Sequence, residues 1–253
     1  MFSKANRTTS SWLAFILSAL TSAALAGPPL ATGDTDILDP GGLEIIIATT
    51  GDERDAGDSY ELPGIEVSLG LTDNTQAGIA FSRAIVDPND ASSKSDFGAL
   101  SIEYAWRFLN VENFTMAMAP AYEFPVNGSS QDRGITDSVR ALGVPLIATY
   151  ATDNWFLTGE TSYSVTSSGP NGIGYGVSTG YNITEKLTAL AELNGGESVG
   201  QNDQEILWRI GATYLLTEQL TVLLGFGGNF DSDLLAADEL DQDFYLGIQF
   251  NTN

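Results

Sequence analysis

The sequence predicts an all-β protein, a closed antiparallel transmembrane β-barrel of twelve strands. Three observations lead to this prediction. From residue 42 onward, segments in which apolar and polar residues alternate recur at short intervals. Tight polar turns and longer acidic loops join these segments in alternation, which is typical of outer-membrane barrels. A signal-peptide pattern precedes them, so the chain is expected to be exported.

The N-terminal 26 residues have the three parts of a secretory signal peptide. Lys4 and Arg7 form a positive region, residues 12–25 are mainly apolar, and Ala24 and Ala26 are small residues suited to a cleavage site. The apolar stretch is too short to span a bilayer as a permanent anchor. We therefore expect residues 1–26 to be removed.

The remaining chain is predicted to form one domain with a short lead-in. Residues 27–41 lack strand-like alternation, and we expect them to lie on the periplasmic side of the barrel. Residues 42–253 contain no Pro/Ser-rich linker or abrupt change of composition. The barrel is therefore expected to span residues 42–253 without a second domain.

Twelve segments show the alternation expected of strands. Most are long enough, at about nine to eleven residues, to cross a membrane at a tilt. They lie near residues 42–50, 59–71, 75–86, 97–108, 113–124, 140–151, 155–166, 172–182, 186–195, 204–215, 219–228 and 242–252.

The connections between these segments predict the orientation of the barrel. Five are short and polar and resemble periplasmic turns, namely residues 72–74, 110–112, 152–154, 184–185 and 216–218. The other six are mostly longer and more acidic, and they alternate with the short ones. An even number of strands then brings both chain termini to the periplasmic side.

The fourth segment illustrates how the two faces of the wall are assigned. Ile102, Tyr104 and Trp106 share one face, whereas Ser101 and Glu103 share the other. The first face is expected to contact lipid. Aromatic residues beside the short turns predict a periplasmic girdle at the level of the lipid headgroups, formed by Trp106, Phe108, Phe114, Tyr150, Trp155, Tyr181 and Tyr214.

The same alternation places charged residues on the inner face. The predicted lumen-lining residues are Glu44, Glu66, Glu103, Arg107, Glu123, Glu160, Glu192 and Arg209. In a water-filled lumen the carboxylates would favour cations and oppose anions. The alternative is that they pair with the two arginines and with polar neighbours to fill a narrow interior.

Six apolar residues also fall on the predicted inner face: Ile46, Ile147, Phe156, Leu190, Leu207 and Leu223. They are compatible with a path for poorly soluble solutes. They are equally compatible with a packed interior, or with bulges that change the register and exchange the two faces.

Composition argues against several other functions. The sequence has no histidine and no cysteine, which excludes Ser-His and Cys-His nucleophile pairs, histidine or thiolate metal sites and disulfides. We therefore predict a non-enzyme without cofactor or metal site. A net charge of −23 argues against a nucleic-acid partner. Acidic loop residues such as Asp231 and Asp233 are interpreted as a solvated surface, because they lack the spacing of a calcium-binding loop.

Several segments resemble one family of barrels. The lead-in at residues 34–40 and the turn-strand units at residues 181–193 and 214–226 are similar to outer-membrane transporters grouped with the phenol-degradation meta-pathway protein family. The resemblance covers most of the chain after the signal peptide. It implies uptake of small compounds, aromatic or hydrophobic ones among them, and it brings no ligand motif that assigns binding residues.

The sequence thus favours an outer-membrane channel or transporter for passive uptake of small solutes, with outer-membrane lipid and a small-molecule solute as its partners. The alternative is a structural or adhesive barrel with a plugged lumen. A soluble periplasmic β-protein is a third, weaker interpretation, and the oligomeric state is left open.

Overall fold

The computed structural model describes residues 27–89, 91–136 and 139–252. The predicted signal peptide, residues 1–26, lies outside the described residues. The described residues form thirteen strands, β1 Leu43–Arg54, β2 Gly57–Thr72, β3 Thr75–Pro88, β4 Lys94–Val111, β5 Phe114–Met118, β6 Ala121–Pro125, β7 Ala141–Ala151, β8 Trp155–Thr166, β9 Gly172–Asn182, β10 Leu187–Ser198, β11 Glu205–Thr217, β12 Leu220–Ser232 and β13 Leu240–Thr252.

A five-residue helix, Gly128–Asp132, lies between β6 and β7 and is capped by the side chain of Asn127. Among the described residues, no helix is long and apolar enough to cross a membrane.

The strands form a closed antiparallel barrel. Consecutive strands pair with each other, apart from β5 and β6, and β1 pairs with β13, where Leu43 lies opposite Thr252. Strands β5 and β6 are two halves of a single wall strand, because both pair with β4 on one side and β7 on the other. The barrel wall therefore has twelve strands, which confirms the predicted fold class.

The wall strand is interrupted at Ala119 and Pro120. Proline has no backbone N–H and cannot donate to a neighbouring strand, so a break in the ladder is expected there. The flanking groups still find partners: the Ala119 N–H donates to the Pro145 carbonyl at 3.3 Å, and the Tyr104 N–H donates to the Pro120 carbonyl at 3.0 Å. The wall is thus continuous across the break.

The observed strands begin and end close to the predicted positions at the short turns but extend further at the opposite end. Strand β2 begins at Gly57 rather than near residue 59, and Gly57 still pairs with Pro88 of β3. Strand β12 continues to Ser232, four residues beyond the predicted end. Pairing across the outer hairpins therefore takes up residues that the sequence assigned to loops.

The exterior of the barrel is apolar. Along β4 buried and exposed residues alternate, with Ser101 and Glu103 buried and Ile102 and Trp106 exposed. The predicted girdle residues all face outward, and some touch: the rings of Tyr150 and Trp155 lie 5.6 Å apart, centroid to centroid. A closed barrel with an apolar, aromatic-rimmed exterior belongs in the bacterial outer membrane.

Candidate functional site

Residues 27–42, which we call the N-terminal segment, run from the inside of the barrel to its rim, where residues 39–41 are exposed. Leu30, Thr32 and Thr35 are almost completely buried inside the barrel. The prediction for residues 27–41 was a periplasmic lead-in, and the structure shows residues 31–38 of it in contact with the inner wall. The segment forms no strand of the barrel, and the inner wall offers acceptors for its backbone N–H groups and apolar surface for its apolar side chains.

Two lumen glutamates hold the middle of the N-terminal segment. The backbone N–H groups of Ala31 and Thr32 donate to the two carboxylate oxygens of Glu192, at 3.1 and 2.5 Å. The Gly33 N–H donates to Oε2 of Glu160 at 2.7 Å. Hydrogen bonds to an ionised acceptor are stronger than those between neutral groups. Both glutamates were predicted to line the lumen, and the structure shows that a part of the chain itself binds them.

Further contacts fix the segment nearer the periplasmic end. The hydroxyls of Thr35 and Thr115 lie 2.5 Å apart, and the Leu38 N–H donates to Oε1 of Gln76 at 2.9 Å. The Gly41 N–H donates to the Gly70 carbonyl at 2.9 Å, just before β1 begins. The N-terminal segment thus rises from the periplasmic rim and fills the periplasmic half of the lumen.

Wall glycines make room for this segment. A Cβ atom on Gly70 would clash with the Asp39 carbonyl oxygen, and one on Gly225 would lie 3.0 Å from the Pro29 carbonyl oxygen. By contrast, a Cβ atom on Gly143, also in the wall, would meet nothing within 4 Å. The glycines at 70 and 225 therefore permit close approach of the segment, whereas Gly143 does not have this role.

The apolar residues of the inner face form a packed interior. Ile37 of the N-terminal segment packs against Ala105, Ala119 and Ile147. A second cluster contains Ala48, with Tyr245 packed against it. The predicted inward residues that are buried are Ile46, Ile147, Leu190, Leu207 and Leu223. These five residues are buried, which fits the packed-interior interpretation, and Ile46 also borders the cavity described below.

Arg209 links three wall strands beside the N-terminal segment. Its Nη1 atom lies 3.2 Å from Oε1 of Glu192 and 3.1 Å from Oδ1 of Asn194. Its Nε atom donates to Oδ2 of Asp243 at 2.6 Å. The Glu192 side chain is fully buried, so the guanidinium compensates a carboxylate that water does not reach. Glu192 therefore connects the N-terminal segment to this ion-pair network.

Above the N-terminal segment the lumen remains open as a cavity of about 340 Å³, which we call the outer vestibule. Pro29 and Leu30 form part of its floor, and Ile135 and Val139 reach it from the loop after β6. Its charged lining consists of Asp52, Glu61, Glu66, Glu123, Arg209 and Asp243. The chain's own N-terminal segment therefore forms one boundary of this cavity.

The predicted lumen residues separate into three groups. Glu66, Glu123 and Arg209 line the outer vestibule, whereas Glu160 and Glu192 bind the N-terminal segment. The others lie elsewhere in the lumen: Glu44 accepts from Gln249 near the periplasmic end, Glu103 is buried and accepts from Ser101, and Arg107 donates to the Asp73 carbonyl of a periplasmic turn.

Sequence reasoning missed three acidic residues of the vestibule. Asp52, Glu61 and Asp243 were not among the predicted lumen-lining residues. The alternation that begins at Glu44 continues through Ala48 to Asp52, so the pattern itself contained the information. Asp52 lay beyond the predicted strand end near residue 50, Glu61 lies before the register shift between Glu61 and Gly64, and Asp243 lay inside the predicted strand 242–252.

An ion pair stabilises the outer rim. Nη1 of Arg54 lies 3.2 Å from Oε1 of Glu205, and both side chains are buried. The same carboxylate oxygen accepts from the Leu240 N–H at 3.0 Å, and Arg54 also donates to the Asp238 carbonyl. The loop between β12 and β13 is thereby attached to β1 and β11 at the outer mouth.

The structure of this chain is similar to solved structures, whereas the sequence comparisons found no match. A scan against protein-family models matched none, and a search of curated proteins found no relative. The COG4313 outer membrane channel from Pseudomonas putida F1 aligns with a TM-score of 0.66 and 12% identity, over 87% of this chain and 97% of that one.

Two other solved structures represent different functions. The KdgM porin aligns with a TM-score of 0.58 and 10% identity, over 82% of this chain and 99% of that one. The translocator domain of the autotransporter NalP from Neisseria meningitidis aligns with a TM-score of 0.58 and 13% identity, over 96% and 97%. Identities this low show a shared fold, and this fold serves porins, channels and a translocator. The chain is therefore an outer-membrane barrel of the kind that these proteins share.

Proposed function

We propose that this protein is a passive outer-membrane channel for small solutes, and that its own N-terminal segment restricts the lumen. One observation supports this most directly. A vestibule of about 340 Å³ occupies the outer half of the lumen, and its floor is a chain segment rather than the barrel wall. A cavity of this size is in the range that holds a small organic molecule.

The floor is attached in a way that permits displacement. The N-terminal segment adds no strand to the barrel, and its main attachments are hydrogen bonds to Glu160, Glu192, Thr115 and Gln76. A hydrogen bond contributes about 1 kcal/mol net, or about 2 kcal/mol when one partner is charged. Displacement would therefore break a few contacts and leave all twelve wall strands paired.

The alternative proposal is a structural or adhesive barrel whose lumen stays plugged. The packing of Ile37 against Ala105, Ala119 and Ile147 favours this alternative, because it buries apolar surface between segment and wall. The two proposals differ in one measurable property. A channel must conduct in some state that leaves the barrel folded, and a plugged barrel must not.

The expected solutes are small and partly apolar. The resemblance to transporters grouped with the phenol-degradation meta-pathway family supports aromatic or hydrophobic compounds, and Ile135, Val139 and Tyr245 give the vestibule apolar surface. We further propose that the eight predicted charged residues influence which solutes pass. That the protein is not an enzyme and has no nucleic-acid partner remains a prediction from its composition.

Planar-bilayer conductance tests the channel. The mature protein is compared with a variant that lacks residues 28–38, and heat-modifiable electrophoretic migration verifies that both barrels are folded. We expect low or intermittent conductance from the mature protein and a larger, steadier conductance from the deletion variant. A folded deletion variant that passes no ions or small solutes would support the plugged barrel instead.

A further inference from the structure

The charged lining of the outer vestibule is strongly one-sided. Five carboxylates line it, from Asp52, Glu61, Glu66, Glu123 and Asp243. Among the described lining residues Arg209 is the only cation, and it is already bound to Glu192, Asn194 and Asp243. The vestibule therefore offers acceptors to a solute and no uncommitted cationic donor.

Among the described residues, a serine hydroxyl donates to each of two of these carboxylates. Glu61 accepts from the Ser82 hydroxyl at 2.9 Å, and Glu66 accepts from the Ser68 hydroxyl at 3.4 Å. A carboxylate has about four acceptor sites, so each retains capacity for a further donor. Both side chains face the cavity, where a solute could supply that donor.

The other walls of the vestibule are apolar. Ile46, Ala80 and Ile135 line it from different elements, and Pro29 and Leu30 cover the floor. In the described parts of the chain, no group of three or more His, Cys, Asp or Glu side chains is arranged to hold a metal ion. The combination of apolar walls and separated carboxylates suits an organic cation better than a metal ion.

The lumen already contains an example of this recognition. In its periplasmic half, Glu192 and Glu160 bind the N–H groups of Ala31, Thr32 and Gly33. These donors belong to a segment that also presents prolines and a leucine to the wall. The resident segment thus shows that two other lumen glutamates accept hydrogen bonds from N–H donors.

From these features we propose that the outer vestibule binds small organic cations, with an amine or guanidinium group at Glu61 and Glu66 and an apolar or aromatic body against the opposite walls. This proposal rests on the proposed channel function and specifies its solute class. The acidic outer loops would raise the local concentration of such solutes before they enter.

The test compares three probes of similar shape and different charge: benzylamine, benzyl alcohol and benzoate. Their affinities for the purified, detergent-solubilised mature protein are measured by isothermal titration calorimetry. We expect benzylamine to bind at least tenfold more tightly than benzyl alcohol, and benzoate to bind more weakly than both. Equal affinity for all three probes, or preference for benzoate, would overturn the proposal.

Matched variants assign the site. The double substitution E61Q/E66Q should weaken benzylamine binding about tenfold, because it replaces two charged acceptors by neutral ones. The control E185Q/E218Q changes net charge equally, in exposed periplasmic turns, and should bind as the unmodified protein does. If E61Q/E66Q fails to fold, D52N provides a second, milder substitution in the same wall. Unchanged benzylamine affinity in the folded vestibule variant would contradict the assignment.

Binding in detergent does not depend on conductance. A protein that binds benzylamine selectively but never conducts would retain this inference and refute the channel. A protein that conducts but does not prefer benzylamine would support the channel and refute this inference.

Discussion

The hydroxyl groups of Thr35 and Thr115 lie 2.5 Å apart, which joins the N-terminal segment directly to strand β5. Replacing both by cysteine places two thiols where a disulfide can lock the segment in the lumen. The chain has no other cysteine, so the bond formed is unambiguous. We expect oxidised T35C/T115C to conduct little and the reduced form to conduct like the unmodified protein, as measured in planar bilayers. The single variants T35C and T115C should not respond to reductant.

A substitution at Gly70 tests the position of the same segment without an introduced disulfide. The substitution G70A places a methyl group against the Asp39 carbonyl oxygen, so the segment must shift. We expect higher conductance and faster proteolysis within residues 27–41, detected by mass spectrometry. The matched control is G143A, which adds the same methyl group to the wall where nothing lies within 4 Å. Equal behaviour of the two variants would show that close approach at Gly70 does not hold the segment.

Removing the Glu192 carboxylate should destabilise the barrel. In E192A, Arg209 loses one of its two carboxylate partners, and the N–H groups of Ala31 and Thr32 lose their acceptor. Loss of such buried, charge-assisted contacts costs about 3 kcal/mol. Urea unfolding in lipid vesicles measures the change in the free energy of unfolding. E197A, at a half-buried position on the same strand, should cost much less.

The ion pair at the outer rim is expected to stabilise the β12–β13 loop. R54M removes the guanidinium and leaves the buried Glu205 carboxylate with the Leu240 N–H as its donor. Breaking a buried pair on one side costs about 3 kcal/mol. We predict a lower free energy of unfolding and faster cleavage in residues 233–239 by an external protease. R133M is the control, because Arg133 pairs with Asp96 at an exposed site. An equal loss of unfolding free energy in R133M would contradict the claim that burial makes the Arg54–Glu205 pair stabilising.

The sequence was sufficient for the wall of the barrel but not for its contents. Alternation depends on local geometry, since successive side chains of a strand point to opposite faces. It therefore predicted that Ile102 and Trp106 point outward and that Glu103 and Glu192 point inward. In the structure the first two side chains are exposed and the last two are buried.

The path of the N-terminal segment could not be predicted in the same way. Its partners are distant in sequence, with 160 residues between Thr32 and Glu192 and 127 between Gly33 and Glu160. No local pattern encodes such contacts. The apolar inward residues were an indirect indication, because Ile147 and Leu223 would be unfavourable in a water-filled lumen and needed something to pack against.

The course of the N-terminal segment determines where the protein can be labelled. Pro28 lies in the lining of the outer vestibule, so a tag fused just ahead of Gly27 would begin inside the barrel. A folded reporter is far larger than a cavity of about 340 Å³ and would either displace the segment or prevent assembly. Strand β13 ends opposite Leu43 at the periplasmic rim, where an added tag leaves the lumen unobstructed. Affinity handles and fluorophores therefore belong at the C-terminal end.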